Sequence, residues 1–164
     1  MKRILLITGS VAGVALVAGW LAFSSFTLSA IPSPGRNETY MATKAKHLMI
    51  ARALRESIPP PPVDRAASAA QGDKLFAVRC SLCHGEDGRS QTPLGQWMYP
   101  RAADLSSEEV QSYSDEELFW VTKNGIRLSG MPAFAGSESD EHIWNLVDHV
   151  RTLNAANQRN ATRK

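Results

Sequence analysis

The sequence predicts an all-α fold of about three to five helices joined by long loops, preceded by one long apolar helix. Three observations predict it. Apolar residues recur at helical spacing in several segments, and no segment alternates with the period of two that a half-buried strand requires. Residues Ile4 to Ile31 also run for 28 positions without a single charge. At 164 residues, 43% hydrophobic and 21% charged, the chain has room for one ordinary domain and an appendage.

The first element is the uncharged run. Met1-Lys2-Arg3 precedes it, and at about 1.5 Å per residue roughly 20 helical residues cross a hydrocarbon core of about 30 Å. Residues 1–31 are therefore read as an uncleaved membrane anchor. The alternative is a cleaved signal peptide, but its apolar core is usually about 7–15 residues. The site after Ala30 is also poor, with Leu28 upstream; a break after Ser29, with Thr27 upstream, stays open. Lys2 and Arg3 place the N-terminus in the cytoplasm and the remainder outside it, although Arg36, Lys44 and Lys46 blunt that asymmetry.

Residues 32–65 read as a connector. Pro32-Ser33-Pro34-Gly35 ends the apolar helix, a helix is expected over 38–57, and Pro59 to Pro62 form a semi-rigid polyproline spacer. His47, within the connector, is read as a solvated surface residue. The globular domain spans 66–155. A helix is expected over Ala67–Arg79. Ser114-Asp115-Glu116-Glu117 forms a capping box that opens another, which Asn124-Gly125 stops. A last helix begins near Ser139, with Ile143, Leu146, Val147, Val150 and Leu153 on one face. Residues 156–164 are expected to be a frayed polar tail.

Charge divides along the same line. Residues 1–65 carry 8 Lys/Arg and 3 Asp/Glu, or +5, whereas 66–164 carry 10 and 13, or −3. A mildly acidic domain lacks the basic footprint of nucleic-acid binding, so no nucleic acid is expected as partner.

The two cysteines stand three positions apart, in Cys80-Ser81-Leu82-Cys83-His84. This C-x-x-C-H spacing is the attachment signature of haem c. Each thiol adds to one porphyrin vinyl group, and the adjacent histidine is turned beneath the ring to bind iron. Competing chemistries fit less well. A thioredoxin-like pair needs a βαβ setting. Structural zinc takes four Cys or His ligands with paired histidines three to five residues apart, whereas His142 and His149 have six residues between them. A covalent haem would also supply apolar bulk that so small a domain otherwise lacks.

Other motifs follow in order: Gly72-x-x-Leu75-Phe76, Cys83-His84-Gly85, Asp87-Gly88, Asn124-Gly125-Ile126, Gly130-Met131-Pro132-Ala133-Phe134, and a last helix bearing Trp144. Together they resemble class I monohaem cytochromes c, and most closely the short bacterial domains related to oxidase cytochrome c subunits, over about residues 66–155. That resemblance implies a small cytochrome c fold around one haem, with an axial methionine in the loop after the middle helix, which here is Met131. A thioether favours reduced iron and raises the potential relative to two histidines. Met98 is the main rival ligand, followed by His142 and His149. The other ring nitrogen of His84 needs an acceptor, with Pro93 and Pro100 as candidate carbonyls. Trp97, Tyr99 and Arg101 are candidate partners for the haem propionates, Arg101 first. Trp144 and Phe76 are expected in helix–helix packing.

The expected cofactor-binding residues are thus Cys80, Cys83, His84, Met131 and Arg101, with His84 and Met131 on iron. The expected function is electron transfer, without catalysis, by a single-pass protein of the bacterial inner membrane whose domain faces the periplasm. Redox partners would be a dehydrogenase, a quinol-oxidising complex or a terminal oxidase of a respiratory chain. The alternatives are a soluble periplasmic form after signal cleavage, and an open sixth position that binds or reduces a small ligand. A third reading gives the anchor and the connector helix a mainly assembly role.

Overall fold

A computed structural model describes residues 2–25, 29, 31, 33–54 and 58–161, and among these every regular element is helical. The helices are α1 (Lys2–Ser25), α2 (Arg36–Ala53), α3 (Arg65–Arg79), α4 (Ser81–His84), α5 (Pro93–Trp97), α6 (Glu108–Gln111), α7 (Asp115–Asn124) and α8 (Asp140–Ala161). Within the domain, α3, α7 and α8 are the long helices; α4, α5 and α6 are single turns set in the loops.

The caps explain most boundaries. Ser114 Oγ accepts from the Glu117 amide at 3.1 Å while the Glu117 carboxylate accepts from the Ser114 amide at 2.7 Å, closing the expected box on α7. Gly125, at φ 69°, ends that helix. Asp64 accepts from the Ala67 amide at 2.9 Å, so α3 starts at Arg65, two residues before the position its apolar pattern suggests. Thr92 and Ser107 cap α5 and α6 by accepting from the amides of Gly95 and Val110. Residues 156–161 continue α8 where the sequence leads one to expect fraying. That stretch holds no Gly or Pro to stop a helix; residues 162–164 lie outside the described residues.

The domain is organised on the crossing of α3 and α8, its most extensive packing. Gly72 makes the crossing possible. A Cβ there would lie 1.9 Å from the Asn145 carbonyl oxygen and 2.9 Å from His149 Cβ, so any side chain would push the helices apart. Phe76, Leu146 and Leu153 fill one side of the contact. On the other, Phe119 and Trp144 meet at 4.7 Å between ring centroids, with Val110, Tyr113, Leu118, Ile143 and Val147 around them. Arg65 pairs with Asp115 and Asp148, and Arg151 with Asp115, tying the start of α3 to α7 and α8.

The connector docks on this body. Ile50 of α2 is buried in the core with Tyr113 and Trp144, and the Pro59 carbonyl accepts from Trp144 Nε1 at 3.1 Å. His47 is no free surface residue: its ring stacks on Tyr113 at 4.6 Å and 16°. The part of the expected helix at 55–57 lies outside the described residues.

The expected membrane span is not found among the described residues, where no helix is long and apolar enough to cross a membrane. α1 is 24 residues long, and its described side chains run only from Val11 to Ser24.

Candidate functional site

The C-x-x-C-H segment leaves α3 as one further helical turn. Cys80 is the C-cap of α3, and its carbonyl accepts from the amides of Cys83 (3.1 Å) and His84 (2.9 Å). Gly85, at φ 73°, closes the turn. Thr92 Oγ1 donates to the Cys83 carbonyl at 2.9 Å, fixing the turn to the loop that follows.

That turn forms part of the wall of a cavity of about 180 Å³. Cys80, Cys83, His84, Met131 and Arg101 all line it. The remainder is mainly apolar, with Phe76, Leu118, Leu146 and Val150 contributed by α3, α7 and α8. Met98 joins Met131 there. Its sulfur would lie 2.7 Å from a Cβ on Gly130, so the absence of a side chain at 130 admits it. Two thioethers therefore reach the same cavity from different loops.

The imidazole of His84 is oriented by its Nδ1. This nitrogen lies 2.9 Å from the Ala103 carbonyl and 3.2 Å from Ser90 Oγ. Ser90 itself donates to the Ala103 carbonyl, and a carbonyl can only accept, so Nδ1 carries the proton. Nε2 is then left with a free lone pair, the form that binds a metal. Burial lowers the pKa of His84, opposed by the Ala103 bond, and the ring is neutral at pH 7. The acceptor is thus Ala103, and neither Pro93 nor Pro100: the loop carries residue 103 past the ring, nineteen positions along the chain.

Burial, helped by Cys83 and Glu138 nearby, pushes the Cys80 thiol up to about 12. That is the reverse of the lowered pKa on which a redox-active C-x-x-C pair depends. No group of three or more His, Cys, Asp or Glu suited to a metal ion occurs among the described residues. An imidazole presenting Nε2, two thiols one turn apart and soft thioethers around an apolar cavity fit a covalently held haem.

The other candidates are placed elsewhere. Tyr99 hydrogen-bonds Glu38 of α2 through its hydroxyl, and Trp97 is 77% exposed; neither lines the cavity. His142 pairs with Glu138 at 2.8 Å. His149 is buried against Phe76 at 4.8 Å, and burial lowers its pKa. Sequence reasoning missed Lys46 and Tyr113, both of which line the cavity; neither belongs to a motif, and only docking of α2 brings the lysine there.

The family model described as cytochrome c oxidase, cbb3-type, subunit III matches residues 67–150, just over half the chain. Among curated proteins, the cbb3-type cytochrome c oxidase subunit FixP of Bradyrhizobium diazoefficiens is 28% identical over 56% of this chain and 30% of its own length. Cytochrome c6 of Thermosynechococcus vestitus is 31% identical over 62% of this chain and 82% of its own. Cytochrome c-554(547) of Halothiobacillus neapolitanus is 27% identical over 54% of this chain and 99% of its own. The chain thus spans under a third of the oxidase subunit but 82% and 99% of these two small cytochromes. It belongs to the family of the cbb3-type oxidase subunit III, as a class I monohaem cytochrome c domain with one covalent haem c.

Proposed function

We propose that this chain is a membrane-tethered electron carrier of a respiratory chain, its haem held by thioether bonds to Cys80 and Cys83 and its iron ligated by His84 and Met131. The observation that carries the reading is the convergence of these four side chains on one apolar cavity, with His84 Nε2 free to ligate because Nδ1–H is committed to Ala103. The bound haem supplies a one-electron couple. The protein's part is to hold His84 in one tautomer, to present a thioether from the Gly130-Met131-Pro132 loop, and to keep water out with Phe76, Leu118 and Leu146. With both axial positions filled, no place is left for a substrate, which is why electron transfer is preferred to small-ligand chemistry.

The tether rests on the uncharged stretch Ile4–Ile31 and on α1, whose described apolar side chains, among them Leu16 and Phe23 at 75% exposure, are left outside the principal helix packings. Periplasmic placement follows from covalent haem attachment and from Lys2 and Arg3. Its partners would be redox complexes: a dehydrogenase or quinol-oxidising donor, and a terminal oxidase as acceptor, the kind of assembly that the FixP relative's name describes.

The test is haem retention. Full-length protein, matured with haem, is extracted from the membrane fraction and denatured in acidified solvent. Haem should stay with the wild-type chain and be lost from Cys80→Ser/Cys83→Ser. Release of haem from the wild type, or recovery of the wild type in the soluble fraction, contradicts attachment or tether respectively.

A further inference from the structure

The connector helix α2 lies outside the matched domain, which begins at residue 67, yet it contributes a cationic side chain to the cavity wall. Lys46 reaches the cavity wall alongside Tyr113. Its ammonium lies 3.3 Å from Glu109 Oε1 and 5.5 Å from the centroid of the Tyr113 ring. Burial opposes the charge on Lys46, but Tyr113 and Glu109 outweigh it and raise the pKa, so the ammonium persists at neutral pH.

Tyr113 is 93% buried by the complement of its 7% exposure. His47 covers one ring face. Its hydroxyl has no hydrogen-bond partner of acceptable geometry. Lys46 cannot cure this, because an ammonium only donates: whatever it gives to the phenol oxygen, the phenolic proton still lacks an acceptor. Two donors without enough acceptors, at the wall of a mainly apolar cavity that Arg101 also lines, describe a place for an anion. Glu109 takes one of the three ammonium protons and leaves two.

We propose that Lys46 and Tyr113 together bind a propionate carboxylate of the haem, so that the connector helix is part of the haem site. The proposal rests on the haem-carrying reading above. It makes α2 more than a spacer: the carboxylate is neutralised only while α2 is docked, and docking is held by Ile50 in the core and by the His47–Tyr113 stack, the exposed Lys46–Glu109 pair adding little. Connector position and haem potential are then coupled, because undocking α2 leaves the propionate charge uncompensated and favours the oxidised iron.

The experiment is spectroelectrochemical titration of the matured full-length protein and four variants. Lys46→Gln and Tyr113→Phe should each shift the midpoint potential to more negative values with the covalent haem intact, and Lys46→Arg should restore it. Glu109→Gln separates charge from architecture. It breaks the ion pair but keeps the ammonium, and the potential should stay or rise. An unchanged potential in Lys46→Gln, or an equal fall in Glu109→Gln, overturns the proposal. Failure of the underlying reading looks different: the wild type itself then holds no covalent haem.

Discussion

At His84, one hydrogen bond decides what the ring can offer. The Ala103 carbonyl takes the Nδ1 proton, and Nε2 becomes the only nitrogen able to meet a metal. The histidine itself was legible because C-x-x-C-H is a local pattern with a fixed chemical meaning. Its acceptor was not, because a backbone carbonyl carries no side-chain signature and the loop path that delivers residue 103 is a tertiary fact. Met131 and Met98 show the same split. The Gly-Met-Pro run singles out Met131 in the sequence, whereas the arrival of Met98 beside Gly130 depends on packing. If Met98 is a wall rather than a ligand, Met98→Leu keeps the volume and leaves the sulfur-to-ferric-iron charge-transfer band in place. Loss of that band in Met98→Leu would instead make Met98 the ligand.

Helix positions were legible wherever cap and period agree. Ser114 with Glu117, and the stripe from Ile143 to Leu153, placed α7 and α8. The single turns α5 and α6 escaped detection because four or five residues are too few to display a period, leaving only Thr92 and Ser107 as signals. Docking of α2 was also hidden: Ile50 is one apolar residue among several at helical spacing, and nothing local marks it as the one that enters the core. Gly72 carries the sharpest prediction at this scale. Gly72→Ala gains some helix propensity, up to about 1 kcal/mol. It loses more by forcing α3 from the Asn145 carbonyl, for a net destabilisation of about 1–3 kcal/mol. Urea unfolding of the haem-loaded protein should show the midpoint falling at unchanged slope.

In the molecule as a whole, the ion network around Asp115 joins the start of α3 to α7 and α8. Burial would raise the pKa of Asp115, but Arg151 and Arg65 hold it below the ordinary carboxylate value. A depressed folded pKa means that the unfolded chain takes up the proton first. The contribution is therefore full above about pH 4 and fades as pH falls through the folded value. Asp115→Asn should cost about 2 kcal/mol at pH 7, and its deficit against the wild type should shrink below pH 4 in thermal unfolding. The central claim, a closed iron that only exchanges electrons, is tested most directly by carbon monoxide. Reduced wild-type protein and Met131→Ala are exposed to the gas, and their optical spectra are recorded. The account predicts no carbon monoxide adduct in the wild type and ready binding in the variant. Ready binding by the wild type would mean an open sixth position, and ligand chemistry would replace electron transfer as the function.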